Sequence, residues 1–298
     1  MDAEATMRQS ANEVPPRVST FRRFYRVFTA RGLVVFGAVI IIAMIIVAIF
    51  APLIAPYDPY KQNLAIALQK PSQEHLLGTD GNGRDTLSRV IYGSRVALMV
   101  GLIVTGIAAS CGMTLGLIAG YFGGIPNMVI MRFIDALMTF PMIILAMTVA
   151  ATLGSGITNL MIALGFAMMS GYARVMCGQV LSVKENDYVL AEHAIGAHNW
   201  RIMLRHVLPN CFPPFIVMIT MQMGAAIMAE AGMSFIGIGI QAPTASWGSM
   251  VNDGYKYLLN NPVLSIAPGA AILLIVFAFN MVGDGLRDAL DPRLRGTI

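Results

Sequence analysis

The chain has 298 residues, 56% of them hydrophobic and only 12% charged, with a formal net charge of +4. Soluble domains carry about 25% charged residues, so the composition excludes an ordinary soluble domain and points to an all-α integral membrane protein. The positive balance does not mark a nucleic-acid binder, because the cations sort by membrane side rather than into one basic face.

Residues 1–31 form a polar tail with six arginines, including "FRRFYR". Six apolar segments follow, at 32–54, 96–121, 128–153, 157–181, 212–240 and 264–282. A hydrocarbon core of about 30 Å takes about 20 apolar residues at a helical rise of about 1.5 Å. Lipid offers no partner to a free backbone group, so each segment is expected to be a transmembrane helix. The first follows arginines, as a signal peptide would. It is too long for a cleavable core, however, and "IFAPLIAPYDP" lacks a small-x-small cleavage site, so it is expected to remain as the first span. The division expected is a tail (1–31), a first span with a long external loop (32–95), and a core transmembrane domain (96–298).

In the second half of the loop, Leu87, Val90 and Ile91 recur at i, i+3 and i+4, with Arg84, Ser88 and Arg89 on the other side. This suits a short helix lying on the membrane surface before the second span, or a plain solvated loop helix. On the third span Arg132 and Asp135 are spaced for a local ion pair, and Phe140-Pro141 is expected to kink the helix. Arg174, near the inner end of the fourth span, is expected to snorkel toward the interface.

Between the fourth and fifth spans runs "AEHAIGAHNWRIMLRHVLPN", from Ala191 to Asn210, with two arginines and three histidines. Ser182 and Glu185 have the spacing of a capping box. Gly196 suits the end of a helix, Asn199 the cap of a second, and Pro209 its stop. In that second helix Trp200, Met203, Leu204 and Val207 form an apolar stripe, opposite Arg201 and Arg205. The segment, about 182–210, reads as a helix–glycine–helix elbow. It is either a connector packed on its own bundle or a docking element for a partner, and tryptophan and arginine are common interface anchors.

With the tail inside, inner segments hold fourteen Lys and Arg and outer segments six, which predicts cytoplasmic N- and C-termini and a cytoplasmic elbow. Glu230 is the deepest ionisable group in a span. It either faces the translocation path or plays a structural part. Cys111, Cys177 and Cys211 lack any zinc spacing. His193, His198 and His206 do not share one helical face, and the 22 methionines are scattered, so no metal site is expected. No Gly-Lys pair exists to build a phosphate-binding loop. Neither HExxH nor GxSxG is present, which argues against an intramembrane enzyme. A transporter working alone would need several charges along its path, and only Glu230 approaches that.

The elbow resembles the cytoplasmic loop motif E-A-A-x3-G-x9-I-x-L-P of ABC importer permeases (the EAA motif). Gly196 takes the motif glycine, Ala191 the first alanine, and Leu208 and Pro209 the closing pair. Leu190, Glu192 and His206 depart from it. "HLLGTDGNGRDTLSRVIYGSRVAL", "GLIAGYFGG", "SFIGIGIQAPTASWGSM" and "FNMVGDGLRDALDPRLRG" resemble the dipeptide/oligopeptide/nickel subfamily, and within it the second permease subunit. The resemblance implies six transmembrane helices in the type I ABC importer permease fold and a place in a bacterial or archaeal inner membrane. The implied cargo is a peptide, with nickel or a metal chelate as the alternative within the family. The chain would bind no cofactor. ATP and Mg would sit on two separate ATP-binding cassette subunits, and a homologous permease and an extracytoplasmic solute-binding protein would complete the assembly. Ala191, Glu192, Gly196, Ala197, Trp200, Leu208 and Pro209 would then lie at the contact with an ATPase subunit.

Overall fold

In a computed structural model, residues 26–290 are described. Most of the expected tail, and Arg293 and Arg295, lie outside them. The described residues are helical with no named strand, and one isolated bridge joins Thr79 and Asp85. Among the described residues, five helices are long and apolar enough to cross a membrane, or six if one bent pair counts as a single span.

Helix α1 (Gly32–Ile49) is followed by a single turn, α2 (Ala51–Ile54), and by the long loop. Helix α3 (Thr86–Phe122) has 37 residues, about 55 Å at a rise of about 1.5 Å per residue. It therefore contains both the expected second span and the helix expected to lie on the surface before it. The short amphipathic helix is not separate. Its polar side is also not solvated: Arg84, Ser88 and Arg89 are all buried. Asp85 caps α3, its Oδ2 accepting from Ser88 N at 2.8 Å and Ser88 Oγ at 2.7 Å, while Oδ1 meets His75 Nδ1 at 2.8 Å. Asp80 Oδ2 lies 2.7 Å from Arg84 Nε and 3.5 Å from Arg89 Nε, and Arg89 Nη1 donates to Pro59 O at 3.1 Å. The loop thus folds back over the first turns of α3, because buried guanidinium groups must find acceptors.

Beyond Gly123 (φ +64°) and Gly124 (φ +47°) the chain turns into α4 (Gly124–Met138) and α5 (Met142–Leu153), bent by 94° relative to each other. The bend falls at Thr139–Pro141, where the sequence predicts a kink, since proline lacks the N–H that would continue the helix. Helices α6 (Ile157–Lys184) and α7 (Asp187–Ala194) follow. Then a turn α8 (Asn199–Ile202), a π-turn over Met203–Val207, and α9 (Leu208–Ile236) run on as one helical stretch. Helix α10 (Trp247–Tyr255) and α11 (Val263–Leu290) close the order.

Small residues set the packing. Gly112, Gly116 and Gly120 of α3 face α6. A Cβ on Gly112 would lie 2.5 Å from Tyr172 Cβ, and one on Gly120 2.8 Å from Val180 Cβ. Backbones approach this closely only where side chains are absent, which is how helices associate when lipid supplies no hydrophobic drive. Gly37 of α1 meets Ala278 and Met281 of α11 in the same way. Arg31 Nη1 closes that pair of helices 2.9 Å from Asp288 Oδ2. Trp247 of α10 fills the space over Gly93 and donates through Nε1 to Val90 O at 2.9 Å.

Candidate functional site

The segment between α6 and α9 is built as a short helix, a glycine turn and a second helix that never stops. Helix α6 runs through Ser182 to Lys184, so the expected capping box at Ser182 and Glu185 does not form. The next helix starts at Asp187, after Asn186, whose Nδ2 donates to Val183 O at 2.8 Å. Its end matches the glycine expectation. Gly196 has φ +79°, its N–H reaches His193 O at 3.0 Å, and Ala197 N reaches Glu192 O at 3.0 Å. These are the two bonds of a Schellman end, which needs a left-handed residue at that position.

Two further details differ from the sequence expectation. His198, not Asn199, caps the second helix, its Nδ1 accepting from Trp200 N at 3.4 Å. Pro209 does not end it either. The π-turn Met203–Val207, in which Leu208 N reaches Met203 O, shifts the hydrogen-bond register just before the proline, so the ring is accommodated and α9 continues.

The elbow is clamped to the end of α3. Tyr121 donates from its hydroxyl to Asn199 Oδ1 at 3.2 Å and stacks on His193 with ring centroids 6.2 Å apart. Phe122 meets Trp200 edge-on at 6.4 Å, and Lys184 Nζ donates to Gly120 O at 3.2 Å. His206 Nε2 lies 3.4 Å from Glu192 Oε1, tying the two arms together. Val189, Ile202, Met203 and Val207 are buried in the main core, with Ala197 and Leu208 packed against it. The predicted stripe is therefore split. Met203 and Val207 point inward, while Trp200 and Leu204 are half exposed, as are Tyr188 and Leu190, and Ile195 is 78% exposed. Ala191, Gly196 and Pro209 are also on the surface. A rigid elbow with exposed large apolar groups can accept a partner surface.

Residues 112–296 match the family described as binding-protein-dependent transport system inner membrane component. The chain belongs to this family. Residues 19–71 match the N-terminal transmembrane domain of oligopeptide transport permease C. The permease is 39% identical over 298 residues to the dipeptide transport system permease protein of Alkalihalophilus pseudofirmus, covering 98% of each chain. It is 40% identical over 284 residues to the probable D,D-dipeptide transport system permease protein of Escherichia coli, covering 95% of each. It is 37% identical over 276 residues to the glutathione transport system permease protein of Pectobacterium atrosepticum, covering 92% of each.

Within the permease Glu230 is buried, and its Oε1 accepts from Ser234 Oγ at 2.6 Å and from Ser246 Oγ at 2.8 Å. Ser234 Oγ also accepts from Ile240 N at 2.9 Å. The carboxylate thus holds the turn after α9 against the start of α10. Asp135 pairs with Arg174 of α6 rather than with Arg132, so Arg174 does not snorkel free. The three histidines serve separate contacts, and no group of three metal-competent side chains occurs among the described residues.

Sequence reasoning missed Tyr121 and Phe122 as the socket of the elbow, and the polar cluster around Asp80. The first had one available signal, an aromatic pair directly before Gly123-Gly124, where a helix must end. The second was hidden because buried and solvated arginines look alike at helical spacing.

Proposed function

We propose that the chain is the transmembrane permease subunit of an ATP-driven importer of peptides, with its termini and elbow in the cytoplasm of a bacterial cell. The observation that carries this is the elbow itself. Its arms are bound to the bundle through Val189, Ile202, Met203 and Tyr121 and to each other through His206 and Glu192, while Trp200, Leu204 and Ile195 stay exposed. A segment stiffened in that way passes a displacement of its outer face to α6 and α9, because hydrogen-bonded helices resist bending. Ala191, Glu192, Gly196, Ala197, Trp200, Leu208 and Pro209 form the coupling contact in this reading. Trp200 anchors, Gly196 sets the turn, and Pro209 fixes the π-turned start of α9. ATP and Mg are bound by two separate ATPase subunits. A homologous permease completes the path, and an extracytoplasmic binding protein delivers cargo. The peptide cargo is supported by the names of the three relatives above.

The test is purification of the permease from native membranes, with identification of the chains that accompany it, followed by uptake in proteoliposomes. The expected result is an ATP-binding subunit that crosslinks to Trp200→Cys, and peptide uptake that stops without ATP. Uptake that continues without any second polypeptide overturns the reading.

A further inference from the structure

The structure treats two ionisable sites of the spans differently. Glu230 is closed in by two serines of its own chain. Asp135 and Arg174 pair with each other, yet their side chains remain 45% and 54% exposed. Arg174 is seven residues, about 10 Å at a rise of about 1.5 Å per residue, from the inner end of the apolar segment 157–181. That depth falls inside a hydrocarbon core of about 30 Å.

An exposed charge pair at this depth cannot face lipid tails without large cost, and intramembrane charges characteristically line water-filled paths or bundle interiors. The face around it is open. A Cβ on Gly178, one turn from Arg174, would meet nothing within 4 Å, and one on Gly171, a turn the other way, only the end of Met218 at 3.7 Å. Asp135 is one turn before the 94° bend between α4 and α5, so a change at the bend moves one partner relative to the other. Burying the pair dry against another subunit would carry a desolvation penalty of several kcal/mol per ion. Kept wet, it is held by only about 0–1 kcal/mol and opens readily.

We propose that Asp135 and Arg174 line the aqueous translocation path and meet the two charged ends of the cargo. The carboxylate takes the peptide's ammonium group and the guanidinium its terminal carboxylate, both as charge-assisted hydrogen bonds. This rests on the peptide-importer reading. The pair presents the complement of a zwitterion, and parting it exposes both halves at once.

The experiment uses the full importer complex in proteoliposomes, with Cys111, Cys177 and Cys211 of this chain replaced by alanine. Asp135→Cys and Arg174→Cys are treated with a membrane-impermeant charged thiol reagent, with and without ATP. Ile42→Cys, on the exposed side of α1, is the lipid-facing control. Labelling at least about tenfold faster than the control is expected at both positions in one nucleotide state. Rates equal to the control in both states overturn the proposal and place the pair against the partner permease. The charge-swapped double variant Asp135→Arg/Arg174→Asp supplies the second readout. It is expected to assemble normally while peptide uptake stays at least about tenfold below the unswapped protein, because the charges facing a moving cargo are reversed in place. Full recovery of uptake by the swap shows a merely structural pair and overturns the proposal. If the unswapped complex hydrolyses ATP but takes up no peptide, the cargo reading fails, while the labelling still decides whether the pair faces the path.

Discussion

The hydroxyl of Tyr121 donates to Asn199 Oδ1 at 3.2 Å, joining the last turn of one span to the elbow 78 residues later. Because Tyr121 also stacks on His193, a single side chain touches both arms. The elbow is therefore tied to α3 as well as to α6 and α9.

Tyr121→Phe removes the hydroxyl and keeps the ring. The lost bond, near the surface, is worth about 0.5–1.5 kcal/mol. Uptake per ATP hydrolysed is expected to fall about two- to fivefold, within the range that energy allows, with subunit assembly intact. Tyr121→Ala, which removes the stacking too, is expected to fall further. Parallel measurement of peptide uptake and ATPase rate in proteoliposomes checks both.

Gly196→Ala tests the turn. No atom lies within 4 Å of the added Cβ, so the penalty is conformational alone, from φ +79°. A left-handed alanine costs about 1–2 kcal/mol, and asparagine, which tolerates that region, costs less. The expected order of ATPase retention on washing the complex is glycine, then asparagine, then alanine.

At Glu230 the glutamine variant keeps an acceptor for both serine hydroxyls, so uptake and melting temperature are expected to stay close to those of the native protein. Glu230→Ala leaves Ser246 without that acceptor and opens a void, at a cost of about 1–3 kcal/mol. A lower melting temperature of the detergent-purified complex is the readout. Loss of uptake in the glutamine variant with unchanged melting would assign the carboxylate to cargo.

Around Asp80 the two sides of the network are not equivalent. Arg89→Met strips the donor from Pro59 O but leaves Asp80 paired with Arg84, so about 1–3 kcal/mol is expected to be lost. Asp80→Asn leaves two buried guanidinium groups without their carboxylate, since Asp253 lies 4.0 Å from Arg84 and is half exposed. Removal of one member of a buried pair costs about 3–5 kcal/mol. The asparagine variant is therefore expected to melt lower than Arg89→Met, by thermal unfolding of the same preparation.

Much of this architecture is legible in the order of residues. The spans, the bend at Phe140-Pro141 and the glycine turn at Gly196 follow from local rules, because hydropathy, a missing N–H and a positive φ act within a few residues. The capping box at Ser182, the Asn199 cap and the stop at Pro209 did not form. The two caps are weak local preferences of about 1 kcal/mol that continuous helix and tertiary packing override, and the proline is accommodated by the π-turn before it. Asp135 had Arg132 within reach along its own helix, but α6 brings Arg174 closer to it.

The sequence by itself determined that the chain crosses a membrane, where its apolar segments lie and which elbow motif it carries, because burial in lipid is decided segment by segment. Only the tertiary structure decided which polar groups are satisfied inside. Glu230 is closed in by Ser234 and Ser246, Arg84 and Arg89 are folded under the loop, and Asp135 and Arg174 are left open. The physical reason is that a charge is settled by whichever acceptors and donors reach it in space, and those come from distant parts of the chain.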